Sequence, residues 1–323
     1  MKRQILKFLI CPECLPEENC LHLEDSRCPG EEILDGRLEC GGCGKTYPIS
    51  EGIACLTICK SNEEKVKSGK VGDIPPATSA YETPEVLSAY LWSHYADLFG
   101  DPDATKAYSQ WAEQIAPVSG AALDAGCATG RFCFEMSAKC DLVIGIDASR
   151  SFIATARRIL RERNLAFPIK EEGLICSQKS FFLPPEWDSA KVEFIVADAQ
   201  ALPFRSGSFA CVASLNVIDK TSGPFELIKE ARRVARGTDA QLLLSDPFSW
   251  SENICDPKDW LGGTVEGRFA GAGIDNVARL VCAQDPDGGS AWTIGQRGSV
   301  WWKIRNHRNH FELIRSLFLK AQR

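Results

Sequence analysis

Two pairs of cysteines near the beginning of the chain have the spacing of metal ligands. Cys11 and Cys14 form one C-x-x-C turn, Cys40 and Cys43 form a second, and residues 15–39 separate them. Each turn can direct two thiolates to one point, and two such turns build the tetrahedral sulfur cage that zinc prefers. We therefore expect these four cysteines to hold a structural zinc ion, with redox cysteines or an iron centre as the alternatives.

This pattern leaves four further cysteines in the first 59 residues unexplained: Cys20, Cys28, Cys55 and Cys59. Residues 20–36 read as a loop inserted between the two turns, which lengthens their spacing beyond that of an ordinary zinc ribbon. We expect the four additional thiols to be free or buried, and a second metal site is the alternative.

A loop with two glycines follows the first predicted strand of the larger part of the chain. A dinucleotide-binding loop has the pattern G-x-G-x-x-G, in which the middle glycine lets the backbone approach a pyrophosphate. Here Ala128 takes the middle position, and Asp124 adds a carboxylate that disfavours an anionic pyrophosphate but tolerates a cationic sulfonium cofactor. The predicted cofactor contacts in this loop are Asp124, Gly126, Cys127, Ala128 and Gly130.

The ends of the next three predicted strands carry further residues suited to a nucleoside. Asp147 ends the second strand, where an acid can accept hydrogen bonds from both ribose hydroxyls. Asp198 follows the third strand and Asn216 the fourth, at the carboxyl edge where such sheets bind ligands. The predicted cofactor contacts outside the loop are Asp147, Ala148, Ser149, Asp198, Ala199 and Asn216.

Residues around the same edge could bind or activate an acceptor. His94 and Tyr90 lie one turn apart on a predicted helix and share a face that could cap the site. Asp219 follows the fourth strand, and Asp246 and Trp250 follow the fifth. We expect His94 and Asp219 to be catalytic. The predicted substrate contacts are Tyr90, Tyr95, Asp246 and Trp250, with helix packing as the alternative role for the helical residues.

The elements that must position these residues alternate between strand and helix. Strands are predicted over 121–124, 142–147, 192–196, 210–215 and 241–245, helices over 84–99, 103–116, 130–139, 150–164 and 224–235, and a closing antiparallel pair over 299–304 and 311–319. This series predicts a doubly wound α/β fold with a mostly parallel seven-stranded sheet, preceded by a small N-terminal zinc-ribbon domain. The predicted boundaries are 1–60 for the zinc ribbon, 61–85 for a linker and 86–323 for the α/β domain.

The composition is that of a globular protein and narrows the classes of partner. The chain has 323 residues, of which 44% are hydrophobic and 25% charged, and its net charge of −6 does not favour nucleic acid. No apolar run approaches the roughly 18 residues of a membrane span. The apolar stretch before Cys11 is short and interrupted by Lys7, so we expect no export signal and a cytoplasmic protein.

Taken together, the motifs of the larger part resemble class I S-adenosylmethionine-dependent methyltransferases. The loop 124–130 is similar to their motif I, D/E-x-G-x-x-x-G, and Asp147, Asp198 and the run 204–209 follow in the same order. The resemblance implies S-adenosylmethionine as the cofactor and places Asp198 beside its adenine.

A narrower resemblance is to the mercaptohistidine N-methyltransferase domain of ovothiol biosynthesis. The similar stretches are 90–95, 124–135, 145–153, 216–220, 245–250, 260–263 and 304–307. This resemblance, over roughly residues 86–323, implies a small-molecule acceptor that is an imidazole or a thiol compound.

The cysteine-rich part resembles the small zinc-ribbon proteins that activate tRNA and release-factor methyltransferases. Residues 43–53 carry the pattern C-G-x-x-Y-P-I-x-x-G-I that is typical of them. The resemblance implies a domain that stabilises or steers a methyltransferase, and it allows a protein partner that binds through the zinc ribbon.

Two other functions agree with the same residues. An RNA or protein methyltransferase would use the zinc ribbon to bind its substrate, and it predicts a continuous basic surface and a salt-sensitive affinity. A non-catalytic scaffold would bind the cofactor and recruit partners through the ribbon, and it predicts a blocked acceptor pocket. Methyl transfer to a small molecule is the leading prediction, with nucleic acid as a less favoured acceptor.

Overall fold

A computed structural model of the chain describes residues 1–28, 30–58, 80–284 and 290–323. Cys59 and most of the predicted linker, residues 61–79, lie outside these ranges. Within them, no helix combines the length and the apolar character needed to cross a membrane.

The N-terminal part is an antiparallel meander of four strands: β1 (Leu21–Arg27), β2 (Asp35–Cys40), β3 (Thr46–Ser50) and β4 (Ile53–Leu56). The two C-x-x-C turns lie at one end of this meander. Cys40 ends β2 and Cys43 lies in the turn to β3, while Cys14 closes the short helical turn that follows Cys11.

The larger part alternates strands and helices. Its helices are α1 (Pro84–Tyr95), α2 (Ala107–Glu113), α3 (Arg131–Met136), α4 (Arg150–Glu162), α5 (Pro224–Val234) and α6 (Gly273–Cys282). Its strands are β5 (Ala121–Ala125), β6 (Leu142–Asp147), β7 (Asn164–Glu172), β8 (Ile175–Phe182), β9 (Val192–Ala197), β10 (Phe209–Leu215), β11 (Gln241–Asp246), β12 (Thr293–His307) and β13 (His310–Gln322).

Seven of these strands form the predicted sheet, in the order β9–β6–β5–β10–β11–β13–β12. The pairs from β9 to β11 are parallel, and β13 and β12 close the sheet antiparallel. Every residue of β5, β9, β10 and β11 is buried, because helices cover both faces of a parallel sheet. The predicted doubly wound, mostly parallel α/β fold is therefore confirmed.

The N-terminal meander continues this sheet. Strand β4 pairs in parallel with β9, with Cys55 opposite Val196 and Leu56 opposite Ala197, so that one sheet has eleven strands. Backbone hydrogen bonds from Ile10 to the carbonyl of Pro203, and from residue 205 back to the carbonyl of residue 8, add a second attachment. The N-terminal part is thus fixed to the segment that follows β9.

Two elements of the larger part have no counterpart in the sequence-based prediction. The β7–β8 hairpin forms a separate two-stranded sheet, and α6 covers residues that were left without a helix. Helices α2 and α3 are also shorter than the predicted 103–116 and 130–139. Residues 164–172 alternate buried and exposed positions, but Pro168 lies among them, and proline within a run argues against a central strand.

The closing hairpin reaches beyond the parallel strands. Asp246, the last residue of β11, pairs with Leu317, whereas β12 and β13 remain paired as far as His307 and His310. The hairpin contacts α1 where the rings of Trp92 and Phe311 lie 5.4 Å apart. We use the term cap for α1, the β7–β8 hairpin and residues 300–316, which together stand over the carboxyl edge of the sheet.

The β7–β8 hairpin is bound to both other parts of the cap. Arg305 donates to the carbonyl of Lys170 at 2.7 Å and forms an ion pair with Glu171 at 2.7 Å. Ser88 of α1 donates to the carbonyl of Pro168 at 2.7 Å. These contacts make the cap a connected structure rather than three separate segments.

Candidate active site

The glycine loop between β5 and α3 lies at the centre of the carboxyl edge. Gly126 and Gly130 have φ values of 91° and 87°, which favour glycine, and a side chain on Gly126 would collide with Val217. The amides of Gly126 and Cys127 both donate to the carbonyl of Ile146, each at 2.8 Å. The loop is therefore held against the end of β6 by its backbone.

Asp147 ties the same loop to the start of α4. Its carboxylate accepts hydrogen bonds from the amide of Ala128 at 2.9 Å and from that of Ser149 at 2.8 Å. The side chain of Ser149 caps α4 by accepting from the amide of Phe152. Burial raises the pKa of Asp147 to about 6, although these amide donors oppose the rise. The group is therefore mainly ionised at neutral pH and keeps lone pairs that can accept further hydrogen bonds.

Two buried oxygen atoms beside the loop lack hydrogen-bond partners within the described part of the chain: Asp124 Oδ1 and Thr129 Oγ1. The other oxygen of Asp124 accepts from the thiol of Cys133 at 3.4 Å. Burial raises the pKa of Asp124 to about 7, and the charge of Asp147 adds to the rise. Buried polar atoms are rarely left unpaired in native proteins, so these two fit a polar, positively charged ligand over the loop.

Asp198 and Ala199 follow β9 at the same edge, as predicted. The carboxylate of Asp198 accepts from the backbone amide of Gln200 at 2.8 Å and from its side-chain amide at 3.1 Å. Because β4 pairs with the last residues of β9, the N-terminal part lies next to this turn. Asp198 is thus held at the side of the edge that is nearest to the cysteine-rich part.

The structure brings Asp219 and Asp246 together, although they were predicted for different roles. The amide of Asp219 donates to the carboxylate of Asp246 at 3.3 Å, and the amide of Ser249 donates to that of Asp219 at 2.6 Å. Lys220 Nζ lies 3.2 Å from Asp219 Oδ1. Burial raises the pKa of Asp246 well above its ordinary value, and the negative charge of Asp219 adds to this. The two buried carboxyl groups therefore lie side by side, and Asp246 favours the protonated form.

His94 lies inside the cap rather than at its surface. Its Nε2 is 2.6 Å from the hydroxyl of Tyr108, and its Nδ1 has no partner among the described residues. Burial lowers the pKa of His94 well below its ordinary value, and the nearby charge of Arg131 lowers it further. The imidazole is therefore neutral at physiological pH.

The two predicted tyrosine contacts have different surroundings. The hydroxyl of Tyr95 donates to the carbonyl of Thr129 at 2.7 Å, so this side chain supports the glycine loop. The ring of Tyr90 lies 4.9 Å from that of Phe152 and 5.9 Å from that of Tyr81. Contact of either tyrosine with a substrate remains a prediction.

Two further aromatic residues are Trp250, which follows β11, and Tyr81, which precedes α1. Trp250 stacks on Trp260 with ring centroids 6.0 Å apart, and its Nε1 has no partner within the described residues. Tyr81 was missed because it lies in the predicted linker, where a single aromatic residue gives no periodic signal. Burial raises the pKa of Tyr81. The nearby positive charge of Lys220 opposes this rise, and the negative charges of Asp147 and Asp219 add to it.

The four predicted zinc ligands converge. Their sulfur atoms all lie within 4.8 Å of one another, with 3.8 Å between those of Cys11 and Cys43 and 3.7 Å between those of Cys14 and Cys40. A tetrahedral zinc with Zn–S bonds of about 2.3 Å has S···S edges of about 3.8 Å. No other group of three or more potential metal ligands is found in the described ranges, and Cys20, Cys28 and Cys55 are free thiols.

Comparison with known proteins gives one family match. Residues 123–238 match the model of a family described as a methyltransferase domain, and no curated protein matches the chain. One similar solved structure is the complex between the Haloferax volcanii Trm112 methyltransferase activator and the putative methyltransferase. The matched chain is 12% identical, 78% of this chain and 99% of that chain are covered, and the TM-score is 0.47.

Two further solved structures are similar at the same level. The phosphoethanolamine N-methyltransferase 2 of Haemonchus contortus, in complex with phosphomonomethylethanolamine and S-adenosylhomocysteine, is 18% identical, with 55% of this chain and 36% of that chain covered and a TM-score of 0.40. The YcgJ protein of Bacillus subtilis is 12% identical, with 67% and 98% covered and a TM-score of 0.44.

Proposed function

We propose that the chain is an S-adenosylmethionine-dependent methyltransferase and that its acceptor is a small molecule, an imidazole or a thiol compound. The match of residues 123–238 to a methyltransferase domain supports the first part of this proposal. The observation that carries this proposal is burial at the carboxyl edge, where His94, Asp219 and Asp246 are at most 2% exposed. An RNA or a peptide needs an open groove to reach the methyl group, whereas a small molecule can be enclosed beneath the cap.

The cofactor is proposed to lie across the glycine loop. Asp147 would accept hydrogen bonds from the ribose hydroxyls, and Asp198 would lie beside the adenine. The unpaired oxygen of Asp124 and the amide of Asn216 would face the amino-acid end. When bound, S-adenosylmethionine supplies an electrophilic methyl group on a sulfonium, whose positive charge suits the carboxylates of this edge.

The acceptor half is proposed to align the nucleophile and remove its proton. Asp219 is the favoured base because its carboxylate is close to Lys220 and is held by the amide of Ser249. The departing thioether is neutral, so no general acid is required, and alignment of the nucleophile contributes most of the acceleration. His94 is disfavoured as a proton acceptor because a buried imidazolium beside Arg131 is unfavourable, so we assign it to orienting the acceptor through its neutral ring.

The N-terminal part is proposed to be a structural zinc ribbon over residues 1–60, fused to the catalytic part at 86–323. The sulfur separations fit a ZnS4 tetrahedron, which supports zinc as the metal. The β4–β9 pairing would let the ribbon stabilise the turn that carries Asp198. Binding of a protein partner through the ribbon remains a prediction.

The experiment that tests the proposal uses S-adenosylmethionine with a labelled methyl group. The purified protein is incubated in parallel with a low-molecular-weight metabolite extract, total RNA and a protein extract, and with a panel that includes histidine and mercaptohistidine. We expect label in the metabolite fraction, and loss of that label in Asp219→Asn. Asp103→Asn, at an exposed position between α1 and α2, is the matched control. Label in RNA or protein alone would contradict a small-molecule acceptor.

A further inference from the structure

The final strand of the sheet places a buried serine against the residue that follows β10. Ser316 accepts a hydrogen bond from the indole nitrogen of Trp302 at 3.1 Å, and its hydroxyl contacts the Oδ1 atom of Asn216. Ser316 is completely buried and Trp302 nearly so. The three side chains form a chain of hydrogen bonds from the cap to the carboxyl edge.

The direction of this chain follows from the number of donors. An indole nitrogen can only donate, and a serine hydroxyl has one hydrogen. Because Ser316 accepts from Trp302, its own hydrogen is available for Asn216, and the atom facing it must be the amide oxygen. The opposite orientation of the amide would leave the buried hydroxyl hydrogen without an acceptor, which is unfavourable.

The backbone of Asn216 is also fixed. Its amide donates to the carbonyl of Ser245 at 2.7 Å, and its φ of 60° lies in the left-handed region that asparagine tolerates. The next residue, Val217, packs against Gly126 at the beginning of the cofactor loop. With backbone and amide oxygen both held, the side-chain nitrogen is left as the donor end, and no hydrogen bond from it is found among the described residues.

We propose that Ser316 is a positioning residue, which makes Asn216 present its amide nitrogen to the α-carboxylate of the cofactor's amino-acid end. This inference rests on the proposed placement of the cofactor. The neighbouring acidic groups of Asp124, Asp219 and Asp246 supply no positive charge that could hold an anion, and the amine of Lys220 is paired with Asp219. A neutral group that can only donate is what a carboxylate requires in such surroundings.

The test compares two ligands that differ only at the relevant end. S-adenosylhomocysteine carries the α-carboxylate, whereas 5′-methylthioadenosine has the same nucleoside and sulfur without the amino-acid moiety. Both dissociation constants are measured by isothermal titration calorimetry for the wild type, Ser316→Ala, Trp302→Phe and Asn216→Asp. Ser137→Ala is the matched control, because Ser137 is equally buried and donates to the carbonyl of Phe134.

We expect Ser316→Ala to raise the dissociation constant of S-adenosylhomocysteine about tenfold, which is the range of a hydrogen bond to a charged group. The dissociation constant of methylthioadenosine should change less than twofold. Trp302→Phe should shift the ratio of the two affinities in the same direction by a smaller factor. Asn216→Asp should shift it further, because a carboxylate then faces a carboxylate. Ser137→Ala should leave the ratio unchanged.

The ratio separates positioning from general loosening of the site. Equal weakening of both ligands in Ser316→Ala and Trp302→Phe, or no change in either, would overturn the role of Ser316 while leaving the proposed function intact. If the wild type bound neither ligand, the proposed placement of the cofactor would itself be wrong, and this inference with it.

Discussion

The carboxyl edge of the sheet has two halves that are held in place by different contacts. In the cofactor half, the loop 124–130 is fixed by backbone hydrogen bonds to Ile146 and by the carboxylate of Asp147. In the acceptor half, Asp219 and Asp246 are buried under a cap whose segments come from distant parts of the chain. The first half is a property of one β-α-β unit, whereas the second depends on how the whole domain is assembled. Substitutions in the two halves should therefore affect different steps.

Asp219→Asn is expected to give the largest difference between an effect on turnover and an effect on cofactor binding. Loss of the carboxylate removes the proposed base, and general-base catalysis contributes a factor on the order of 100 to 10,000. We expect turnover on the labelled acceptor to fall by about this factor, while the dissociation constant of S-adenosylhomocysteine changes less than twofold. Calorimetry and initial rates on the same preparation measure both quantities. An equally large loss of cofactor affinity would mean that the two halves are not independent.

Removal of one zinc ligand should act on the cofactor half through the shared sheet. We expect Cys14→Ser to lose the metal and to lower the melting temperature by about 10 °C. Its affinity for S-adenosylhomocysteine should fall about tenfold, because β4 pairs with β9 beside Asp198. Zinc content, thermal unfolding and calorimetry are measured together. Cys20→Ser is the matched control, since Cys20 lies outside the cysteine cluster and should keep the metal. Retention of zinc by Cys14→Ser would contradict the assigned ligands.

A third prediction concerns the pH dependence of stability in the cofactor half. Burial raises the pKa of Asp124 to about 7, so the folded protein without ligand favours the protonated form. The resulting stabilisation is fully present below the ordinary carboxyl pKa of about 4 and is lost as the pH rises through about 7, by at most about 4 kcal/mol. We expect the melting temperature of Asp124→Asn to fall less between pH 5 and pH 8 than that of the wild type.

Differential scanning fluorimetry at several pH values measures this difference. The exposed variant Asp103→Asn should keep the wild-type slope, because an exposed carboxyl has similar surroundings in the folded and unfolded states. Equal slopes for Asp124→Asn and the wild type would show that Asp124 is ionised throughout this range. The cofactor half would then carry the negative charge of Asp124 even without ligand.

The same division explains what could be predicted from the sequence. The parallel strands, the glycine loop and the position of Asp147 follow from periodicity and from residues close together in the chain. Contacts between remote residues gave no such signal: Ser316 with Asn216, Trp111 with Ser245, and β4 with β9. The β7–β8 hairpin was missed because its alternation includes a proline.

Tyr81 is a single residue whose packing could not be predicted from the sequence for the same reason. It lies in a stretch whose polar composition predicts a linker, yet its ring packs on Tyr90 and Phe152 near the edge. An aromatic residue in a polar segment can pack on a distant helix only through tertiary structure, which no local pattern encodes.

The most direct test of the central claim is the binding preference of the purified protein. The claim is that the loop between Leu123 and Arg131, together with Asp147, holds a sulfonium nucleoside. Calorimetry with S-adenosylmethionine, S-adenosylhomocysteine and NAD should show micromolar or tighter binding of the first two, none of NAD, and loss of at least 100-fold in Asp147→Ala. Binding of NAD instead, or unchanged affinity in Asp147→Ala, would contradict the account.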